Sequence, residues 1–217
     1  MPAVARSSVG EVLDGLWRFE ALHPEWNEEE GGDEGWEQSV AWWAVASSHG
    51  VVLVDPLVVD WAGLDRLVGE GGGCAGVLRT CHWHERSVAR AAARYRAQVW
   101  AKPPPSGAPL HPFDHAVTNR ERLFGGLLAL DVERADEIAL WLPAQAALLF
   151  GDAMLRGDAG ELHVCPDSWL QPDGGRARLR AVLSSLTEFP VEHILVSHGP
   201  LVLGDGLSSF EAAVRHS

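Results

Sequence analysis

The stretch "VVLVDP" at residues 51–56 constrains the fold most. A nearly continuous run of Val and Leu has no polar side, so it suits a strand covered on both faces. Pro56 cannot continue a hydrogen-bonded ladder, so the strand stops there and leaves Asp55 at its C-terminal tip. The run before it, "SVAWWAVAS", reads as a second strand joined through the turn "SHG". A sheet containing such a strand needs a layer on each side.

The rest of the chain supplies those layers. "LWRFEAL", "AGVLRT" and "AQVWA" read as strands, with helices over "WAGLDRLVG", closed by Gly69, and over residues 86–96. "KPPPSGAPLHP" is too rich in proline for regular structure. Three apolar runs, "LFGGLLALDVE", "EIALWLP" and "AALLFGDAM", predict antiparallel strands. Leu179, Val182, Leu183 and Leu186 recur at helical spacing and predict a helix over about 174–188. "VEHILVSHGP" reads as strand then turn, and a last helix is expected from Ser208, with Glu211 completing a capping box. Strands followed by helices, twice, predict an α/β single domain over residues 1–217, with two packed sheets and helices outside.

A net charge of −13 gives no long-range attraction to nucleic acid or an anionic membrane. Much of it sits in "HPEWNEEEGGDEGWE", expected to be a solvated loop. Cys74, Cys81 and Cys165 are too scattered for a disulfide framework. The first residues lack the apolar run of a signal peptide, and no stretch has the length for a membrane helix, so a reduced, cytoplasmic, soluble protein is expected. Ten tryptophans are expected in the core or around a pocket mouth; those near the acidic loop also suit a homodimer contact.

Four side chains with metal-ligand chemistry lie just past strand ends: His82 and His84 in "CHWHERS", Asp152 in "FGDAM" and His198 in "VSHGP". Imidazole and carboxylate suit Zn, Mn or Fe. Alternation in an extended loop would send His82 and His84 to opposite sides, so both ligate only if the chain turns sharply between them. An ordinary pair of surface or core histidines is the competing reading.

The order of these pieces resembles the metallo-β-lactamase superfamily, over nearly the whole chain from about Leu13. The resemblance implies a four-layer αββα sandwich and places Asp55 on the family's structural Asp position. Its signature HxHxDH matches "HWHERS" at 82–87, with Arg86 where the Asp stands and Ser87 where the last His stands. By resemblance His82, His84, Asp152 and His198 remain as metal ligands. The third histidine of the first metal has no counterpart in "DVERADEIAL", where Glu133 is the positional substitute and Asp136 or Glu137 the alternatives. Guanidinium cannot ligate and repels a cation, so the usual second metal is excluded, and Arg86 is expected to pair with Asp152.

Two readings follow. In one, a single Zn (or Mn or Fe) on His82, His84 and Asp152, with His198 as ligand or proton shuttle, hydrolyses a small ester, thioester, amide or phosphate. In the other, the sandwich binds a small molecule in a pocket shaped by loops 22–37 and 102–112, without metal or hydrolysis. Arg86, Arg90 and Arg94 are spaced as one helix stripe, expected to be a solvated face, with Arg86 near enough to hold an anionic group. Cys81 reads as a buried structural thiol, and His111 and His115 as inert loop histidines. "GGGC" lacks the ending of a phosphate loop, and no serine-hydrolase elbow is present.

Overall fold

A computed structural model describes residues 8–31, 35–157, 160–170 and 175–216. The first half of the chain builds one sheet from β1 (Ser8–Leu13), β2 (Leu16–Leu22), β3 (Ser39–Ser47), β4 (Gly50–Val54), β5 (Cys74–Arg79), β6 (Val99–Ala101) and β7 (His115–Ala116), ordered as in sequence. β1 to β4 pair antiparallel and β4 to β7 parallel. Parallel neighbours need a crossover: α1 (Trp61–Glu70) provides it between β4 and β5, α2 (Val88–Tyr95) between β5 and β6, and the non-helical segment 102–114 between β6 and β7.

The second sheet follows from β8 (Arg122–Leu123), β9 (Leu127–Asp131), β10 (Ile138–Leu142) and β11 (Ala147–Phe150), joined later by β14 (His193–Val196) and β15 (Val202–Leu203). Between them come the hairpin β12 (Met154–Arg156) and β13 (Leu162–Val164) and the helix α3 (Gly175–Ser185); α4 (Gly206–His216) closes the chain. β14 pairs parallel with β11 after the α3 crossover, and the other pairs of this sheet are antiparallel.

Strand alternation explains the layers. In β3, Ala41, Trp43 and Val45 face the second sheet, while Trp42 and Ala44 face α1 and α2. In β4, Val52 and Val54 point into the sandwich and Val51 and Leu53 meet Leu64 and Val68 of α1, so the continuous Val/Leu run is indeed buried on both sides. β10 divides likewise: Ile138, Leu140 and Leu142 inward, Ala139 and Trp141 toward α3 and α4. Phe150 is fully buried in that outer layer, 5.8 Å from the ring of Phe210 on α4. Burying such a ring stabilises the fold by roughly 1.5–3 kcal/mol. The expected αββα sandwich is the one found.

Some boundaries differ from expectation, each for a local reason. α1 runs past Gly69 to Glu70, because the Gly71 N–H still reaches the carbonyl of Leu67. α2 begins only at Val88, because Arg86 has φ +38 and breaks the helical path. α4 begins at Gly206, so Ser208 lies inside it and donates to the Asp205 carbonyl instead of capping. α3 gives way to a 3-10 turn at Leu186–Glu188. Residues 32–34 of the acidic segment lie outside the described set. Among the described residues no helix is long and apolar enough to cross a membrane.

The turn after β14 is the tightest point of the fold. Gly199 has φ +87, and a Cβ there would lie 1.7 Å from the Arg156 carbonyl oxygen. The Arg18 guanidinium also donates to the Gly199 carbonyl (2.8 Å). Gly199→Ala should therefore lower unfolding free energy by at least about 3 kcal/mol. Gly10→Ala, with open space around it, should stay within about 1 kcal/mol of the parent. Urea titration of both variants checks the contrast.

Candidate metal centre

Asp55 organises this end of the sandwich. It is 1% exposed and its backbone is left-handed at φ +50, which turns its carboxylate toward the next strand. The Thr80 N–H (2.7 Å) and hydroxyl (2.5 Å) both donate to that carboxylate. His84 Nδ1 lies 2.9 Å from its second oxygen. A buried carboxylate needs such partners, and here they wrap the segment after β5 around one residue.

That segment folds as a 3-10 turn, His82–His84, and the turn sends its two histidines apart. His84 is buried, with Nδ1 on Asp55 and Nε2 3.2 Å from Asp152 Oδ1. His82 Nδ1 lies 2.6 Å from Asp136 Oδ1, and its ring lines a separate cleft. Trp83 stands between them, its indole N–H donating to Asp152 Oδ2.

Asp152 follows β11 and is held through its backbone. The N–H groups of Asp152 and Ala153 both donate to Glu137 Oε1 (2.8 Å each), and Glu137 Oε2 pairs with Arg134 at 2.7 Å. Beyond β14, His198 Nε2 reaches within 3.3 Å of Asp152 Oδ1. Both imidazoles meet that oxygen as long, poorly aligned charged contacts. The His198 Nδ1 is buried without a partner. Cys81, His84 and Asp152 present donor atoms all within 4.8 Å of one another.

The electrostatics follow from burial and neighbours. Burial opposes ionisation of Asp152, but His84 and His198 outweigh it and hold the carboxyl well below its usual range. Burial and the Arg86 charge pull His84 down, yet Asp152 and Asp55 win and raise it to about 9. His198 is lowered, chiefly by burial. Burial, then the surrounding carboxylates, push the Cys81 thiol well above its usual value. A metal ion is a sufficient counter-charge to reverse that for a thiol.

His84, Asp152 and His198 therefore come together as the sequence suggested, while the other expected residues do not. Glu133 is exposed on a different cleft, beside Asn119 and Arg120. Left-handed backbone at Glu133 and Ala135 turns Asp136 and Glu137 inward instead. Arg86 makes no ion pair with Asp152; its Nη1 donates to the carbonyls of Ala41 and Asp55, 3.3 Å each. Nor does Arg86 share a helix stripe, since it precedes α2, where Arg90 and Arg94 lie over the Trp61 ring. His115 pairs with Glu121 (2.7 Å), and His111 lies 3.8 Å from Glu85. Thr80, Trp83 and Arg134 gave no sequence signal, because their roles depend on contacts made across the sandwich.

No family model matches this sequence, and no curated protein is similar to it at the sequence level. Solved structures match its fold. The DIM-1 metallo-β-lactamase superposes with TM-score 0.71 at 14% identity, over 98% of this chain and 99% of that one. The chain has the metallo-β-lactamase fold. A metallo-β-lactamase from Pontibacter korlensis gives 0.68 at 13% identity, over 98% of this chain and 100% of that one. FIM-1 from Pseudomonas aeruginosa, in a mono-zinc form, gives 0.67 at 16% identity, over 96% of this chain and 93% of that one.

Glu137→Ala would strip Arg134 of its buried partner and leave two backbone N–H groups unpaired, so it should destabilise the protein by about 3–5 kcal/mol. Glu133→Ala, at an exposed position, should stay within about 0.5 kcal/mol. Chemical denaturation of the pair measures the difference.

Proposed function

We propose that this protein is a metal-dependent hydrolase working with one metal ion, held by Cys81, His84 and Asp152, with His198 facing them across Asp152. One observation carries the reading: a single buried carboxylate oxygen is approached by two imidazole Nε2 atoms, at 3.2 Å and 3.3 Å. In a tetrahedral site with bonds of about 2.0–2.1 Å, neighbouring N and O donors stand roughly 3.3–3.4 Å apart. The spacing of Asp152 and His84 fits a shared cation.

The donor chemistry agrees. A thiolate, an imidazole and a carboxylate suit zinc, and the thiol favours it over manganese. Asp55 on His84 Nδ1 supplies the carboxylate–histidine support that metal-bound imidazoles commonly have, and leaves Nε2 free to ligate. A zinc ion held there supplies Lewis acidity toward a carbonyl or phosphoryl oxygen. Trp83 fixes the orientation of Asp152, and the tryptophans at the mouth limit water. Arg86 lines the same cavity as His198, and its fixed charge would disfavour a second cation there. His198, buried and lowered in pKa, is available at Nε2 to take and return a proton.

The cavity over these residues has a volume of about 360 Å³ and is walled by Trp36, Trp83 and Trp169, the size of a small-molecule site. A second reading has an observation of its own. With its pKa raised to about 9 between Asp55 and Asp152, a protonated His84 balances the carboxylates without any metal. In that state the sandwich is a small-molecule binder and not a hydrolase.

Elemental analysis separates the two. Purified protein reconstituted with zinc should hold about one equivalent. His84→Ala and Asp152→Ala should lose it, whereas His82→Ala, turned to Asp136, should keep it. Failure of the parent protein to retain zinc after reconstitution supports the metal-free binder.

A further inference from the structure

We infer that Arg86 is the anion receptor of this cavity and that its ligand is a small monoanion with a planar apolar body, such as an aryl carboxylate. The inference deepens the proposed function by naming the substrate class, and it rests on geometry that does not require the metal.

Arg86 lines the same cavity as His84, Asp152 and His198. Among the described residues it makes no ion pair: Nη1 has two main-chain carbonyls at 3.3 Å, and Nε is buried without a partner. A half-buried guanidinium served only by long carbonyl contacts keeps most of its capacity for a carboxylate, which it binds bidentately. The direction of the side chain is set by its backbone. Arg86 is left-handed at φ +38, and Ser87 pins the next peptide, its N–H donating to the Pro56 carbonyl (2.8 Å) while its hydroxyl accepts from Val58 N–H (3.1 Å). Strained backbone held by its neighbours at a cavity wall marks a site where orientation matters.

The second arginine of the cavity differs. Arg134 is paired with Glu137 and lies over the faces of Trp83 and Trp169, at 4.7 and 5.7 Å from the ring centroids. Its charge is spent, and it braces two aromatic walls. Trp36 and Trp169 stand edge-on to His198, at 5.8 and 6.3 Å. One uncommitted cation among flat apolar faces selects a flat anion. Glu25, exposed at the same cavity, is the internal competitor and weakens anion binding.

Calorimetric titration of the whole protein with 2-naphthoate and its neutral twin 2-naphthamide tests this, in EDTA-treated and zinc-loaded samples. The acid should bind at least about tenfold tighter than the amide in both. Arg86→Gln should abolish the preference while keeping amide affinity, which also reports that the cavity has formed; Arg86→Lys should retain part of it. Glu25→Gln should tighten the acid and leave the amide unchanged. Equal affinities in the parent protein overturn the inference, as does a preference that survives Arg86→Gln or appears only with zinc. A preference present in protein that never retains zinc upholds Arg86 while the one-metal reading falls.

Discussion

The arrangement of the site depends on a carboxylate buried at the tip of β4. Asp55 has almost no solvent, so every lone pair must find a donor inside the protein. Thr80 supplies two and His84 faces the second oxygen. Those bonds bring the end of β5 down onto the end of β4, start the tight turn, and fix which nitrogen of His84 faces Asp152. Glu137 plays the matching part on the other sheet by gripping the backbone of Asp152. Two buried acids, one per sheet, thus place His84 and Asp152.

Much of the scaffold was legible because it depends on periodicity. Trp42/Trp43 and the Val/Leu run of β4 alternate between layers as a pleated strand must, and strand ends followed by Asp or His marked the correct rim of the sandwich. The geometry of the candidate site was only half legible. "HWH" looks like two equivalent ligands, yet its conformation decides otherwise, and a 3-10 turn separates side chains that text spacing puts together. The partners of that turn come from far along the chain, Asp55, Asp136 and Asp152, so no local pattern encodes it. Cys81 read as a buried thiol and is buried, while its closeness to His84 and Asp152 depends on the fold and is not visible in sequence.

Arg86 brings a fixed positive charge to the cavity and shapes the backbone that carries it. A cation that cannot give up its proton lines the cavity beside the buried Asp152 carboxylate. It is accommodated by turning the chain into the left-handed region, which also delays α2 to Val88.

Parallel pairing of β11 with β14 has a consequence for how such a site can vary. Phe150 is level with Val196, and Asp152 and His198 each lie two residues further on. The gap between them is therefore measured by the ladder itself, as teeth on a rack set a spacing. Loops around the rim can lengthen or shorten and alter what enters, and single side chains can be exchanged, without altering that gap. A slip of one residue along either strand would carry its half of the pair to the opposite face. The sandwich is a gauge that holds reactive positions at constant separation while leaving their chemistry open to revision.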